Sequence, residues 1–161
     1  MFELKAIPTA DKSDLYAELA SQARGLLHDE HDLVANAANF SALLYHALPD
    51  VNWVGFYFIK DGELLVGPFQ GKPACVRIAM GKGVCGTAAA RRESIVVPDV
   101  TKFPGHIFCD GDSQSEVVVP LIKAGELLGV LDVDSPKLAR FDDLDRAGLE
   151  QLAATFVDSL R

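Results

Sequence analysis

The sequence predicts an α+β fold: a central antiparallel sheet with the N- and C-terminal helices packed on one face. Three observations carry this reading. Two segments of helical period open the chain, a run of short alternating or β-rich segments follows, and one strongly patterned helix closes it. Strands that follow one another through short turns pair antiparallel, because a parallel pair needs a long crossover. No repeat, low-complexity tract or linker divides the 161 residues, so one domain over 1–161 is expected.

The first helix is expected to be capped by Ser13 or Asp14, with Leu15, Leu19, Ala23 and Leu26 on its apolar face and Gly25 weakening its end. A second starts near Asp32, buries Leu33, Ala37, Phe40 and Leu44, and stops before Pro49. The period then changes. Residues 53–59 are aromatic and β-branched, Gly62 makes a turn, and residues 64–66 return as a hairpin. Residues 68–75 read as a Gly/Pro loop into a short strand over 76–79, followed by a short helix over 87–92 and a strand over 95–97. A long loop over 98–114 has no periodicity, and loops of that length in compact domains tend to be functional. Two strands, 116–122 and 127–133, join through Ala124 and Gly125. The last helix starts at Asp142 and carries Leu152, Phe156 and Leu160 on one face.

Composition excludes several classes. A net charge of −8 disfavours nucleic acid and anionic membrane surfaces as partners. The apolar runs at 116–122 and 127–133 fall well short of the roughly 18 residues a membrane span needs. The start, Met-Phe-Glu-Leu-Lys, has neither an apolar signal core nor a basic leader, so a cytoplasmic location is expected. Three widely spaced cysteines are a poor secreted disulfide framework, and no CxxC or Cys/His pair has zinc spacing. They are either inert buried thiols or a reactive set.

Gly81, Gly83 and Gly86 spell GxGxxG, but the helix that follows is barely two turns and no full βαβ unit surrounds it. The glycines are read as a tight backbone path over a pocket. His28 and His31 bracket Asp29 and Glu30 at a helix junction with no third ligand, and His46 lies near a helix end; all three read as solvated. His106 differs in lying three residues before Cys109. Cys109, in a Gly/Pro loop beside a histidine, is better placed for reactivity than a cysteine among core aliphatics. Cys75 ends another Gly/Pro loop, and Cys85 abuts the glycine turn. Asp132 and Asp134, two apart on a strand, share a face. They are either a solvated strand end or a partly buried pair that Glu116, on the preceding strand, approaches. Convergent carboxylates in an apolar setting repel one another and favour a bound proton or a cationic ligand.

The segments GPFQGKPAC (67–75), GKGVCGTAA (81–89), VPDVTKFPGHIFCD (97–110), SEVVVP (115–120) and GVLDVDSP (129–136) closely resemble the free methionine-(R)-sulfoxide reductases, small enzymes built on a GAF-type domain. The resemblance implies Cys109 as nucleophile, Cys75 as resolving thiol and Cys85 as an auxiliary third cysteine. It implies Glu116, Asp132 and Asp134 as the carboxylates holding the sulfoxide and the amino group, and Trp53 and Tyr57 as an aromatic wall. Its implied substrate is free methionine sulfoxide and its reductant thioredoxin, with no metal or organic cofactor. The chemistry is consistent. A protonated carboxyl can activate a sulfoxide oxygen, and the sulfenic acid formed on Cys109 can condense with Cys75. The rival readings are a non-catalytic ligand-sensing GAF module and a thiol peroxidase or redox sensor. The sequence is silent on oligomeric state and compatible with a homodimer.

Overall fold

The computed structural model describes residues 1–107 and 109–161. Helix α1 (Lys12–Leu27) starts two to three residues earlier than expected, because the side chain of Asp11, not Ser13 or Asp14, accepts the Asp14 N–H at 3.0 Å. Helix α2 (Leu33–Ala47) is capped by Asp32, whose carboxylate accepts the Ala35 N–H. Leu33, expected in the core, is exposed, since the first helical residue projects off the start of the helix. Helix α4 (Asp143–Ser159) opens on a capping box in which Asp142 and Asp145 each bond the other's backbone N–H.

Between the helices run β1 (Trp53–Lys60), β2 (Glu63–Gly71), β3 (Arg77–Ile78), helix α3 (Gly83–Arg91), β4 (Ile95–Val97), a 3-10 turn (Val100–Lys102), β5 (Ser115–Lys123) and β6 (Glu126–Ser135). The sheet order is β3-β2-β1-β6-β5-β4 and every neighbouring pair is antiparallel. Strand β2 continues to Gly71, through residues expected to be loop. Pro68 is accommodated in a bulge between the pairs Gly55–Phe69 and Tyr57–Val66, where the ladder does not call on its missing N–H. Strand β3 is two residues rather than four, and the segment 98–114 contains the 3-10 turn.

Helices α2 and α4 cover one face of the sheet and α1 packs on α4, as expected of the terminal helices. Phe40, Phe56 and Phe156 form the centre of that core, with ring centroids 4.5 to 5.8 Å apart. A buried Asp145 ties the layer together, accepting from Tyr16 Oη at 2.8 Å and pairing with Lys12 and Arg140. The other face is covered by α3 over β5 and β6, with Val84, Cys85, Ala88 and Ala89 turned inward. Helix α3 begins at Gly83, four residues before the expected start, because burial of this apolar face outweighs the poor helix propensity of Gly83 and Gly86. Cys85 is therefore a helical residue facing the sheet.

Candidate active site

The register of the central strands builds an acidic cluster on the α3 face. Asp134 stands opposite Glu116 on one side and Trp53 on the other, and Asp132 opposite Val118 and Gly55. Gly55 is required here: a Cβ would lie 2.2 Å from Phe69 Cβ and 2.9 Å from the Trp53 ring. Glu116 and Asp132 are buried. Burial, with the Asp134 charge added, pushes the Glu116 carboxyl up to about 8. Burial likewise raises Asp132, reinforced by Glu116, and raises Asp134, reinforced by Asp132 and Asp110. At neutral pH the cluster therefore holds protons that isolated carboxyls would have released. His106 Nε2 lies 3.5 Å from Glu116 Oε2, and burial lowers the imidazole below its ordinary range. Asp132 Oδ1 is buried without a hydrogen-bond partner among the described residues.

Cys75 and Cys109 are joined by a disulfide, with Cα atoms 5.5 Å apart. Cys85 is a free buried thiol whose Sγ lies 3.9 Å from Glu116 Oε1. Burial first, then Asp132, Glu116 and Asp134, hold this thiol well above its ordinary value, so it is a poor thiolate. Cys85, Glu116 and Asp132 offer ligand-type atoms within 4.8 Å of one another, a set able to contact a cation or share protons. A cavity of about 40 Å³ connects these groups to the surface. Cys109 lines it together with Ala74; among the described residues Cys75 does not.

The aromatic residues hold the loops as well as the wall. Trp53 stacks on Phe69 at 5.0 Å and on Tyr57 at 5.9 Å. Trp53 Nε1 donates to the Lys72 carbonyl at 3.1 Å and Tyr57 Oη to the Cys75 carbonyl at 3.0 Å, so both rings pin the loop that carries Cys75. At Gly83, where φ is +61°, a Cβ would lie 3.0 Å from Ile107 Cδ1, so glycine lets the Cys109 loop close over the start of α3.

A GAF domain family model matches residues 14–159. The chain is 50% identical to the free methionine-R-sulfoxide reductase of Escherichia coli (strain K12) over 144 residues, covering 89% of this chain and 87% of the relative. The structure of the free methionine-R-sulfoxide reductase from Neisseria meningitidis in complex with its substrate superposes with a TM-score of 0.94 at 44% identity, covering 99% of this chain and 95% of that one. The chain belongs to the GAF-domain free methionine-R-sulfoxide reductase family. A Burkholderia vietnamiensis protein, provisionally described as a GAF sensor, matches with a TM-score of 0.91 at 64% identity over 94% of this chain and 96% of that one.

In this member of the reductase family the residues singled out from the sequence converge. Trp53, Tyr57, Cys85, Cys109, Glu116, Asp132 and Asp134 all line the one cavity, and Cys75 bonds to Cys109 beside it. His106 joins them through Glu116. The other histidines lie elsewhere: His28 pairs with its neighbour Asp29 on the surface, His31 contacts the Ser159 carbonyl, and His46 packs edge-on against Tyr45. The sequence reading missed Lys72 and Asp112, whose ion pair of 2.7 Å bridges the Cys75 and Cys109 loops. Their only sequence signal was a position three residues from each cysteine. Both side chains are largely exposed, so the pair is weak and screened by salt. In a glutathione redox buffer, Lys72→Ala should shift the Cys75–Cys109 couple toward the dithiol by no more than a few-fold, and high salt should erase the difference. A larger shift, or none at low salt, would contradict a latch of this strength.

Proposed function

We propose that this chain reduces free L-methionine (R)-sulfoxide to L-methionine, as one GAF domain without a metal or organic cofactor, in the cytoplasm. The observation that supports it best is a single cavity in which Cys109 faces a cluster of proton-holding carboxyls. The Cys109 thiolate attacks the sulfoxide sulfur while Glu116 and Asp134 supply hydrogen bonds and a proton to its oxygen. The oxygen passes to Cys109, giving a sulfenic acid and methionine. Cys75 then condenses with the sulfenic acid, releasing water and forming the disulfide. A dithiol, thioredoxin in this reading, returns both cysteines to thiols and is itself oxidised.

Cys109 is preferred over Cys85 as nucleophile on electrostatic grounds. Burial first, and then the neighbouring carboxyls, disfavour a thiolate on Cys85. Trp53 and Tyr57 offer the apolar wall for the methyl-thio end. Asp132, whose buried Oδ1 has no hydrogen-bond partner among the described residues, offers an acceptor for the ammonium group. Lys82 and the N-terminus of α3, which has no side-chain cap, line the cavity and suit the substrate carboxylate. A passive ligand sensor would have no use for a disulfide at the rim of its pocket.

This arrangement reads both charges of a free amino acid, so a capped substrate leaves buried groups unpaired. The kcat/KM for free L-methionine (R)-sulfoxide should exceed that for N-acetyl-methionine-(R)-sulfoxide amide by at least about 100-fold. Comparable values would mean that neither charged end is recognised.

A further inference from the structure

Three different elements bring one ligand-type atom each to the same place beneath α3: Cys85 from α3 itself, Glu116 from β5 and Asp132 from β6. These atoms lie within 4.8 Å of one another, and Cys85 Sγ stands 3.9 Å from Glu116 Oε1. Two ligands on one tetrahedral zinc ion stand roughly 3.3–3.8 Å apart, given bonds of about 2.0–2.3 Å, so small side-chain movements close the set. Proton sharing within the cluster does not satisfy every acceptor. Asp132 is 6% exposed and lines the cavity, and its Oδ1 finds no hydrogen-bond partner among the described residues. The cavity of about 40 Å³ has room for an ion with a water bound to it. Among the described residues the carboxyls of Asp110, Glu116, Asp132 and Asp134 line it against a single lysine, Lys82.

We propose that Cys85, Glu116 and Asp132 bind one soft divalent cation of the zinc and cadmium class, which excludes the substrate's ammonium group from Asp132. The donor set decides the class, because a thiolate selects soft and borderline ions over magnesium and calcium. His106 Nε2, 3.5 Å from Glu116 Oε2 and on the same cavity wall, or a water completes four-coordination. On binding, the proton of the Cys85 thiol and any held by the two carboxyls leave to solvent, and no atom changes oxidation state. The cation is an inhibitor of the proposed reductase and not a cofactor for it, since its charge takes the place of the ammonium. That inhibition rests on the reductase reading; the binding itself does not.

The probe is Cd²⁺, whose bond to a thiolate gives an ultraviolet charge-transfer band. In the oxidised protein Cys75 and Cys109 are tied in their disulfide, so the band reports on Cys85, the remaining thiol of the three. With free Cd²⁺ fixed by a nitrilotriacetate buffer, the expected result is one ion per chain, no band in Cys85→Ser, and a Kd raised at least about tenfold in Asp132→Asn. No band in the oxidised parent, or an unchanged Kd in Asp132→Asn, would overturn the site. Should Cys85→Ser fail to fold, Asp132→Asn and Glu116→Gln decide by the same measurement. The Cys75→Ser/Cys109→Ser double variant keeps Cys85 as its one thiol, and Trp53, the chain's single tryptophan, reports on the cavity by its fluorescence. Saturating Cd²⁺ should raise the Kd of that variant for free L-methionine (R)-sulfoxide at least about tenfold, and an unchanged Kd would overturn the exclusion. Turnover of the cation-free parent with dithiothreitol tests the reductase reading separately: if no methionine forms, that reading fails while the cation site stands or falls on the band.

Discussion

Replacing Cys109 by serine is expected to abolish sulfoxide reduction, lowering turnover by at least about three decades. Serine keeps the size of the side chain, but a neutral hydroxyl is a far weaker nucleophile than a thiolate and cannot accept the sulfoxide oxygen as a sulfenic acid. The fold should be little affected, because Cys109 is half-buried in a loop and contributes nothing to either core cluster. Loss of the disulfide also removes a cross-link, so the thermal midpoint should be compared with that of the reduced parent rather than the oxidised one. Near-parental single-turnover yield of methionine in Cys109→Ser would transfer the nucleophile's role to another thiol, Cys85 first.

The second large effect concerns the proton. Glu116→Gln and Asp134→Asn keep shape but cannot hold or donate the cluster's proton, and at least one should slow single-turnover reduction by about two decades, or about 2.7 kcal/mol. The pH dependence should carry the same mark. Glu116 is held up to about 8, so the parent's chemical step should fall as pH rises through that value, as a property of the coupled cluster and not of one residue. Stability follows the same sign. A carboxyl raised in the folded state keeps a proton that the unfolded chain has already released, which favours folding most below 4.5 and progressively less as pH rises toward about 8. Glu116→Gln should lose less stability over that window than the parent. A parent rate that rises through pH 8 would eliminate the carboxyl as proton donor.

Why some of this was legible in the sequence and some was not comes down to particular residues. Asp132 and Asp134 share a face by the two-residue period of any strand, and Asp142 announces α4 through its cap chemistry. The place of Glu116 depends on something finer. Ala124 and Gly125, both at positive φ, close the hairpin with Lys123 opposite Glu126 and Ile122 opposite Leu127. An uninterrupted ladder from that turn would set Glu116 opposite Val133, on the wrong face. The bulge that instead pairs Leu121 with Gly129 shifts the register by one residue and brings Glu116 against Asp134. The local mark of that shift is Gly129, a glycine inside the strand at φ +155°, which fixes neither its position nor its direction. The early start of α3 escaped for a related reason: Gly83 and Gly86 argue against a helix locally, and only packing on β5 and β6 overrides them. Lys72 and Asp112 escaped because a pair 40 residues apart has no local pattern.

One stoichiometric measurement tests the Cys109 cycle most directly. The fully reduced protein is mixed with one equivalent of free L-methionine (R)-sulfoxide in the absence of any reductant, quenched with acid, and analysed for methionine and for cysteine-containing peptides. The predicted result is one methionine formed per Cys75–Cys109 disulfide, with Cys85 still a free thiol, and no methionine from the (S) epimer. Methionine formed while Cys109 remains a thiol, or sulfoxide left intact by a folded and fully reduced chain, would contradict it.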